Sequence, residues 1–470
     1  MSSSLFKSFH FAFFPTMSVA PQENTGGAAA PSAPKGSKTT TKIVIVGGGA
    51  GGLSTASMLQ RKFQSNGDIV IVVSVNRSIN DKVDKDKSLK FENEPSDKHY
   101  YQPLWTLVGG GIFTKDASQR NEKDLIPQGT TWEKDGVATF KPDENLVVTK
   151  QGKTLNYDYL IVATGITMYW DRIRGLKETL GKNGVTSNYS FDSVDKTFEF
   201  IKGLKSGTAI FTFPNTPIKC GGAPQKILWL ADSYFRDHNV RDKININFNT
   251  AGVSMFAVKK YSDALDQMAV ERDVTRNYKY NLIEVNGEKK EAVFETPEGN
   301  KTVQFDMLHV VPPMGPIPEV KSSPLADPTT GYVTVNKETL QHTKYPNVFA
   351  LGDCSNLPTS KTAAAITKQA PCLVANLISH KNGQPLEAKY DGYTSCPITT
   401  SYKEIMLAEF KYDNVVAESF PFDQSKPSRF AMLLKKHVFP TAYWHGVLNG
   451  RWFGPRAVFN PYTCADVKQQ

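Results

Sequence analysis

Short apolar runs recur along this chain, and glycine stands close to several of them. Residues 42–46, 69–75, 159–165 and 347–353 carry such runs, and 209–213 with the alternating segment 244–249 forms a second set. Apolar runs of this length without alternation predict strands buried on both faces, as in a parallel sheet. Helix-period patterns separate them, over 53–63, 225–235 and 362–379. Strand, helix and strand in repetition predict an α/β fold, here two Rossmann-like dinucleotide-binding domains with a C-terminal membrane-associating region. The expected division is 41–170 for the first part of one domain, 171–325 for the second domain, 326–390 for the return to the first, and 391–470 for the C-terminal region.

The junction between the first strand and the first helix reads Gly47-Gly48-Gly49-Ala50-Gly51-Gly52. This GxGxxG stands directly after a strand and at the head of a helix, the context that gives the fingerprint meaning. Gly47 permits the tight turn, Gly49 lets the backbone approach a pyrophosphate, and Gly52 lets helix and strand pack closely. The helix N-terminus then turns its positive dipole end to the phosphates. An acid is expected at the end of the second strand to hold a ribose hydroxyl, but Ser74, Val75 and Asn76 occupy the place. Ser74 or Asn76 offers one weaker hydrogen bond. A Lys- and Asp-rich stretch, 80–98, follows and reads as a solvated loop. Two later strands, ending in Ala163-Thr164-Gly165 and in Gly352-Asp353, select FAD over NAD as the nucleotide. In two-dinucleotide flavoproteins a segment like the first marks the chain's crossing out of the FAD domain. The second marks the return, with Asp353 on the ribityl chain. Lys361, at the head of the next helix, is placed to steady negative charge on the pyrimidine side of a reduced flavin.

The second domain repeats strand, helix and strand without a glycine fingerprint. In its place stands Pro214-Asn215-Thr216-Pro217-Ile218-Lys219-Cys220-Gly221-Gly222, so nicotinamide binding is not expected there. Cys220 has Lys219 and Lys226 nearby and a helix N-terminus after it, a setting that lowers a thiol pKa. Cys396 lies in Asp391-Gly392-Tyr393-Thr394-Ser395-Cys396-Pro397, read as a turn followed by a strand-like segment. Only folding can bring the two cysteines together. Cys354 and Cys372 read as packing thiols and Cys464 as incidental.

A chain of 470 residues is long enough for two or three domains. Its formal charge of +9 suits anionic ligands or an anionic membrane face. The lysines are dispersed, and no RNA-binding aromatic signature or zinc-finger spacing accompanies them, so neither nucleic acid nor a metal is expected. Five cysteines without a CxxC do not make a secreted disulfide framework. No segment reaches the roughly 18 apolar residues that a spanning helix needs. Residues 1–40 lack Arg and are rich in Ser, Ala, Gly and Pro, which reads as a targeting segment or a disordered arm. Residues 430–458 are rich in Phe, Trp, Tyr and Leu, interrupted by Lys435, Lys436, His437, Arg451 and Arg456 and broken by Pro440, Gly446, Gly450 and Gly454. That pattern predicts short interfacial helices, with Phe439, Tyr443, Trp444, Trp452 and Phe453 on the membrane side and a route for a lipid quinone.

The long motif Phe213-Pro214-Asn215-Thr216-Pro217-Ile218-Lys219-Cys220-Gly221-Gly222-Ala223-Pro224-Gln225-Lys226 closely resembles the first cysteine motif of mitochondrial sulfide:quinone oxidoreductases. The segment 391–397 resembles their second. His99-Tyr100-Tyr101-Gln102-Pro103-Leu104-Trp105, Leu357-Pro358-Thr359-Ser360-Lys361-Thr362 and Phe420-Pro421-Phe422-Asp423-Gln424-Ser425-Lys426 are similar to that family as well. The likeness covers about 41–455. It implies FAD, with Gln102 among its contacts, and a redox-active pair, Cys220 and Cys396, bridged by sulfur. The implied activity oxidises hydrogen sulfide to a cysteine persulfide. The sulfane sulfur then passes to glutathione, sulfite or coenzyme A, and two electrons pass through FAD to ubiquinone. The resemblance gives Cys396 the flavin-facing role and Cys220 the persulfide. Lys226 and Lys426 would make an electropositive approach for hydrosulfide and anionic acceptors. The implied location is peripheral, on the mitochondrial inner membrane, with a homo-oligomer left open. A type II NADH:quinone oxidoreductase shares the fold but needs a second glycine fingerprint. A non-catalytic FAD-binding scaffold has no need of Cys220 and Cys396.

Overall fold

Ile43–Val46 forms the centre of a five-stranded parallel sheet, in the order Val348–Ala350, Tyr159–Val162, Ile43–Val46, Ile69–Val72, Thr131–Glu133. The computed structural model describes residues 42–74 and 97–454. The arm 1–40, Val75, Asn76, most of the 80–98 loop, Arg456 and Cys464 lie outside the described residues. Every residue of Ile43–Val46, Ile69–Val72 and Tyr159–Val162 is buried, which is why these runs are apolar without alternation. Helices Ala50–Phe63 and Ala363–Lys381 pack against each other beside this sheet. A second parallel sheet repeats the plan: Val185–Thr186, Met307–His309, Gly207–Phe213, Ile244–Thr250, Val274–Tyr278.

The first helix starts at Ala50, three residues before its apolar pattern, because the glycine run itself makes the first turn and Gly49 is the N-cap. Helix Ala363–Lys381 is capped by Thr362, whose Oγ1 accepts a hydrogen bond from Ala365 N at 3.1 Å.

The C-terminal region differs from its sequence reading in three respects. Cys396 lies inside a strand, Thr394–Thr399, paired antiparallel with Ile405–Phe410, rather than in the turn before one. Pro440 does not break the following helix, which runs from Arg429 to Val447. Turns of ordinary pitch, Arg429–Leu433 and Phe439–Ala442, alternate with wider π-type turns, Leu434–Val438 and Tyr443–Val447, and the junction residues Leu434, Phe439 and Tyr443 all keep helical φ and ψ. Wider turns are one way a helix accommodates a residue that lacks an N–H. Tyr443 and Trp444 do not face outward: both are buried, against Tyr101 with ring centroids 4.4 Å from Tyr443 and against His99 with centroids 5.8 Å from Trp444. Aromatic content alone does not reveal partners that arrive from a loop more than three hundred residues away. The exposed apolar side chains of this helix are Phe430, Leu433 and Val438. Among the described residues no helix is long and apolar enough to cross a membrane.

Candidate active site

A cavity of about 1360 Å³ is lined by the glycine loop, by the ends of both flavin-type strands, by the start of helix Ala363–Lys381, by the Cys220 turn and by the C-terminal helix. The glycines divide the work as their spacing predicts. Gly47 has φ +117°, and a Cβ there would stand 2.2 Å from Ala163 O. A Cβ at Gly52 would stand 1.8 Å from Gly47 O, so helix and strand touch. By contrast, a Cβ at Gly49 or Gly165 would meet no protein atom within 4 Å, although both residues line the cavity. Open space in front of bare backbone is what a ligand pyrophosphate requires. No side chain caps helix Ala50–Phe63, which leaves its first amides available to an anion.

Ser74, Gln102, Thr164, Gly352, Asp353 and Lys361 also line the cavity. Lys361 Nζ donates to Asp353 O at 2.7 Å and to Ser355 O at 3.1 Å and stands 4.2 Å from the Tyr332 ring centroid. Burial lowers the pKa of this ammonium and raises that of Asp353, the latter opposed by the charges of Lys361 and Lys219. Gln102 Oε1 accepts from Lys219 Nζ at 3.0 Å. An open glycine loop, an uncapped helix start and an aspartate–lysine wall together fit FAD.

Cys220 sits between strand Gly207–Phe213 and helix Ala223–Asp237 at φ +53°, a left-handed conformation uncommon for a residue with a side chain. Two bonds hold it there: Cys220 N donates to Lys361 O at 2.7 Å, and Ala223 N donates to Cys220 O at 2.8 Å. The first stitches the turn to the segment that returns from the second domain. Folding brings the Sγ atoms of Cys220 and Cys396 to 3.6 Å. Gly222 makes the approach possible, since a Cβ there would lie 3.1 Å from Ile398 Cγ1 and 3.5 Å from Cys396 Cβ. Thr399 Oγ1 donates to Lys226 O at 3.0 Å and so ties the strand of Cys396 to the helix that follows Cys220.

The pair is asymmetric. Lys226 Nζ, 4% exposed as a residue, donates to Cys220 Sγ at 3.1 Å. The hydrogen bond from Cys396 and the Lys226 charge hold the Cys220 thiol well below its ordinary value, against burial. The same hydrogen bond, with burial, pushes Cys396 well above its own. Cys220 lines the cavity, whereas Cys396 is fully buried behind it and does not.

Of the two expected cationic residues, only Lys226 reaches the thiols. Lys426 is exposed and does not line the cavity. Lys435 takes its place, buried, with Nζ donating to Pro397 O at 2.9 Å, and with its pKa pulled well down by burial and by neighbouring Lys226. The sequence did hold a signal for it, a lysine on the helix face otherwise buried through Ala431 and Met432. Tyr189 was also missed; its Oη donates to Lys219 O at 3.2 Å beside the thiols. Of the aromatic residues assigned to the membrane side, Phe439, Tyr443 and Trp452 line the cavity, while Trp444 and Phe453 do not. Cys354 and Cys372 pack as expected, donating to Leu351 O at 3.3 Å and to Glu338 O at 3.4 Å.

Residues 41–198 match the family described as pyridine nucleotide-disulphide oxidoreductase. The chain is 64% identical over 417 residues to the mitochondrial sulfide:quinone oxidoreductase of Dictyostelium discoideum, with 88% of each chain covered. It is 50% identical over 366 residues to the mitochondrial sulfide:quinone oxidoreductase of Mus musculus, covering 77% of this chain and 81% of the relative. The X-ray structure of the sulfide:quinone oxidoreductase from Aquifex aeolicus matches with a TM-score of 0.71 at 17% identity, covering 89% of this chain and 95% of that one, a likeness of fold. With such identity to curated relatives over most of its length, and with Cys220 and the glycine cradle on one cavity, the chain belongs to the sulfide:quinone oxidoreductase family.

Proposed function

We propose that this protein oxidises hydrogen sulfide at the Cys220–Cys396 pair and passes the two electrons through FAD to ubiquinone. The observation that carries the reading is the pair itself, two sulfurs 3.6 Å apart beside Lys226, with Cys220 on the wall of the cofactor cavity. A direct disulfide would need ~2.04 Å, whereas one intervening sulfur atom at a roughly tetrahedral angle would hold the outer two ~3.3 Å apart. At 3.6 Å the two thiols are in contact, and a shift of a few tenths of an ångström would admit a single bridging sulfur.

Hydrosulfide attack on that bridge breaks one S–S bond and forms another, leaving one cysteine as R–S–SH and the other as R–S–S⁻. Lys226 favours the anion on Cys220. A small nucleophile takes the outer sulfur from the persulfide and leaves a thiolate. The two anions then rejoin as the bridge and release two electrons. FAD, when bound, accepts that electron pair and hands it on. The cations around the thiols suit an anionic acceptor, and sulfite, glutathione and coenzyme A all qualify. Ubiquinone would reach the cavity along the C-terminal helix, whose Phe430, Leu433 and Val438 are the candidates for leaflet contact. With the mitochondrial relatives, this supports a peripheral position on the mitochondrial inner membrane.

Cys220→Ser and Cys396→Ser should each keep FAD and lose sulfide-dependent quinone reduction. Turnover retained in either variant would overturn the mechanism.

A further inference from the structure

Reducing a quinone to a quinol consumes two protons as well as two electrons, and the site must have a way to admit them. We infer that Tyr393 and Glu409 form a proton relay to the quinone, reloaded from solvent through Ser419. The inference rests on the quinone-reducing reading above.

Glu409 lies on strand Ile405–Phe410 directly opposite Ser395, one position from Cys396 on the partner strand. It is 1% exposed, and a carboxylate at such a depth is costly unless partnered. Four donors meet it. Oε1 accepts from Tyr393 Oη and from Ser419 Oγ at 2.9 Å, and Oε2 accepts from Ser419 N at 2.9 Å and from Gln424 Nε2 at 2.8 Å. One carboxylate oxygen thus joins two hydroxyls. Ser419 is only half-buried, while Tyr393 and Glu409 line the same cavity as Cys220. The chain Ser419 Oγ, Glu409 Oε1, Tyr393 Oη runs without a gap from the protein's margin to the cavity.

The adjoining wall leads toward the surface that suits a lipid quinone. Phe420 and Val438 line the cavity too, and Val438 is 42% exposed. Phe420 packs edge-to-face on Phe430, centroids 5.7 Å apart, and Phe430 is 50% exposed. Other titratable groups stand close by. Tyr261 Oη donates to Glu409 O at 3.3 Å and to Glu418 Oε1 at 3.1 Å, Glu418 pairs with Lys260 at 2.7 Å, and Lys435 shares the cavity.

In the proposed step the Tyr393 O–H bond breaks as an O–H bond forms on the quinone oxygen. The phenolate is reprotonated through the relay, a proton moving from the Ser419 hydroxyl to Glu409 Oε1 and from there to the Tyr393 oxygen, and water restores the proton on Ser419. The electron pair and one proton come from the bound, reduced flavin, and the second proton comes from Tyr393. One quinone, two electrons and two protons thus give one quinol.

The test separates the half-reactions. Holoenzyme is reduced anaerobically with limiting sulfide, then mixed in a stopped-flow instrument with decylubiquinone or with ferricyanide, which takes electrons without protons, in H2O and in D2O. Tyr393→Phe should slow reoxidation by the quinone at least about tenfold, toward the range a general acid contributes. Ser419→Ala should slow it less and enlarge its solvent isotope effect. Reduction by sulfide and reoxidation by ferricyanide should stay within about twofold. Because Glu409→Gln leaves two donors facing an amide and can fail to fold, the two single-hydroxyl variants decide the matter. Quinone reoxidation at wild-type speed in Tyr393→Phe would overturn the relay, and so would equal slowing with ferricyanide, the mark of a structural role. A wild-type flavin that sulfide does not bleach would overturn the functional reading instead, and the relay would then be tested on dithionite-reduced enzyme with the same quinone.

Discussion

One substitution, glycine to alanine, should have three different consequences within the phosphate loop. At Gly52 the added Cβ would stand 1.8 Å from Gly47 O, where real contacts begin near 3.0 Å. Helix Ala50–Phe63 would have to move by about an ångström against a strand that is fully buried, at a cost of ~1–3 kcal/mol. At Gly47 the φ of +117° adds backbone strain of ~1–3 kcal/mol to a contact of 2.2 Å with Ala163 O. At Gly49, φ −71° and ψ −173° are open to any residue and the Cβ meets no protein atom within 4 Å. Exchanging Gly for Ala at an N-cap costs under ~1 kcal/mol. The apoprotein of Gly49→Ala should therefore melt within a degree or two of wild type, and Gly47→Ala and Gly52→Ala several degrees lower. FAD titration should rank the binding effects otherwise, because the methyl at Gly49 occupies the ligand's space: a Kd raised at least tenfold, ~1.4 kcal/mol. Scanning calorimetry of the apoproteins with fluorescence titration of FAD reads both quantities. Wild-type affinity in Gly49→Ala, or an apoprotein as damaged as that of Gly52→Ala, would refute the assignment of Gly49 to the ligand.

With the pair reduced, Lys226→Met should shift the pH profile of Cys220 alkylation to higher pH, because the cation's hydrogen bond and charge help hold the thiol down; an unmoved profile in peptide-resolved mass spectrometry would contradict that. His309 is buried and neutral, its pKa lowered by burial to about 3, with Nε2 accepting from Asn188 N at 3.0 Å. The unfolded chain takes up a proton near pH 6.5 and the fold does not, so stability is present above 6.5 and lost as pH falls toward 3, ~3 kcal/mol by pH 4.5. His309→Gln should flatten the fall in Tm between those values, and an unchanged slope would count against it. Leu433→Glu and Phe430→Glu should each weaken sedimentation with anionic vesicles at least tenfold, since each withdraws ~1.5–3 kcal/mol of apolar contact; undiminished binding would move the membrane face elsewhere.

What was legible in the sequence was local in origin. A buried parallel strand must be apolar on both faces, so Ile43–Val46 and Tyr159–Val162 announce themselves. The phosphate loop announces itself too, because each glycine answers a constraint set within a few residues or by the adjacent strand. The turn that carries Cys220 was visible as the absence of a glycine fingerprint in a place that called for one. What was not legible depends on contacts made at long range. Cys396 faces Cys220 only because a hairpin packs beside the helix Ala223–Asp237. Lys435 rather than Lys426 turns inward, and its only local signal is its place on the helix face of Ala431 and Met432. Which thiol Lys226 reaches is set by how helix Ala223–Asp237 packs on the hairpin, not by motif. Tyr443 and Trp444 carry the composition of a membrane belt, yet His99 and Tyr101 claim them.

The most direct measurement is the visible spectrum of the purified, FAD-loaded protein during anaerobic addition of sulfide. Prompt bleaching of the flavin, reversed by a ubiquinone analogue and absent in Cys220→Ser, is the expected outcome. A flavin that ignores sulfide but is bleached by NADH would contradict the thiol-based chemistry and return the second domain to nicotinamide binding.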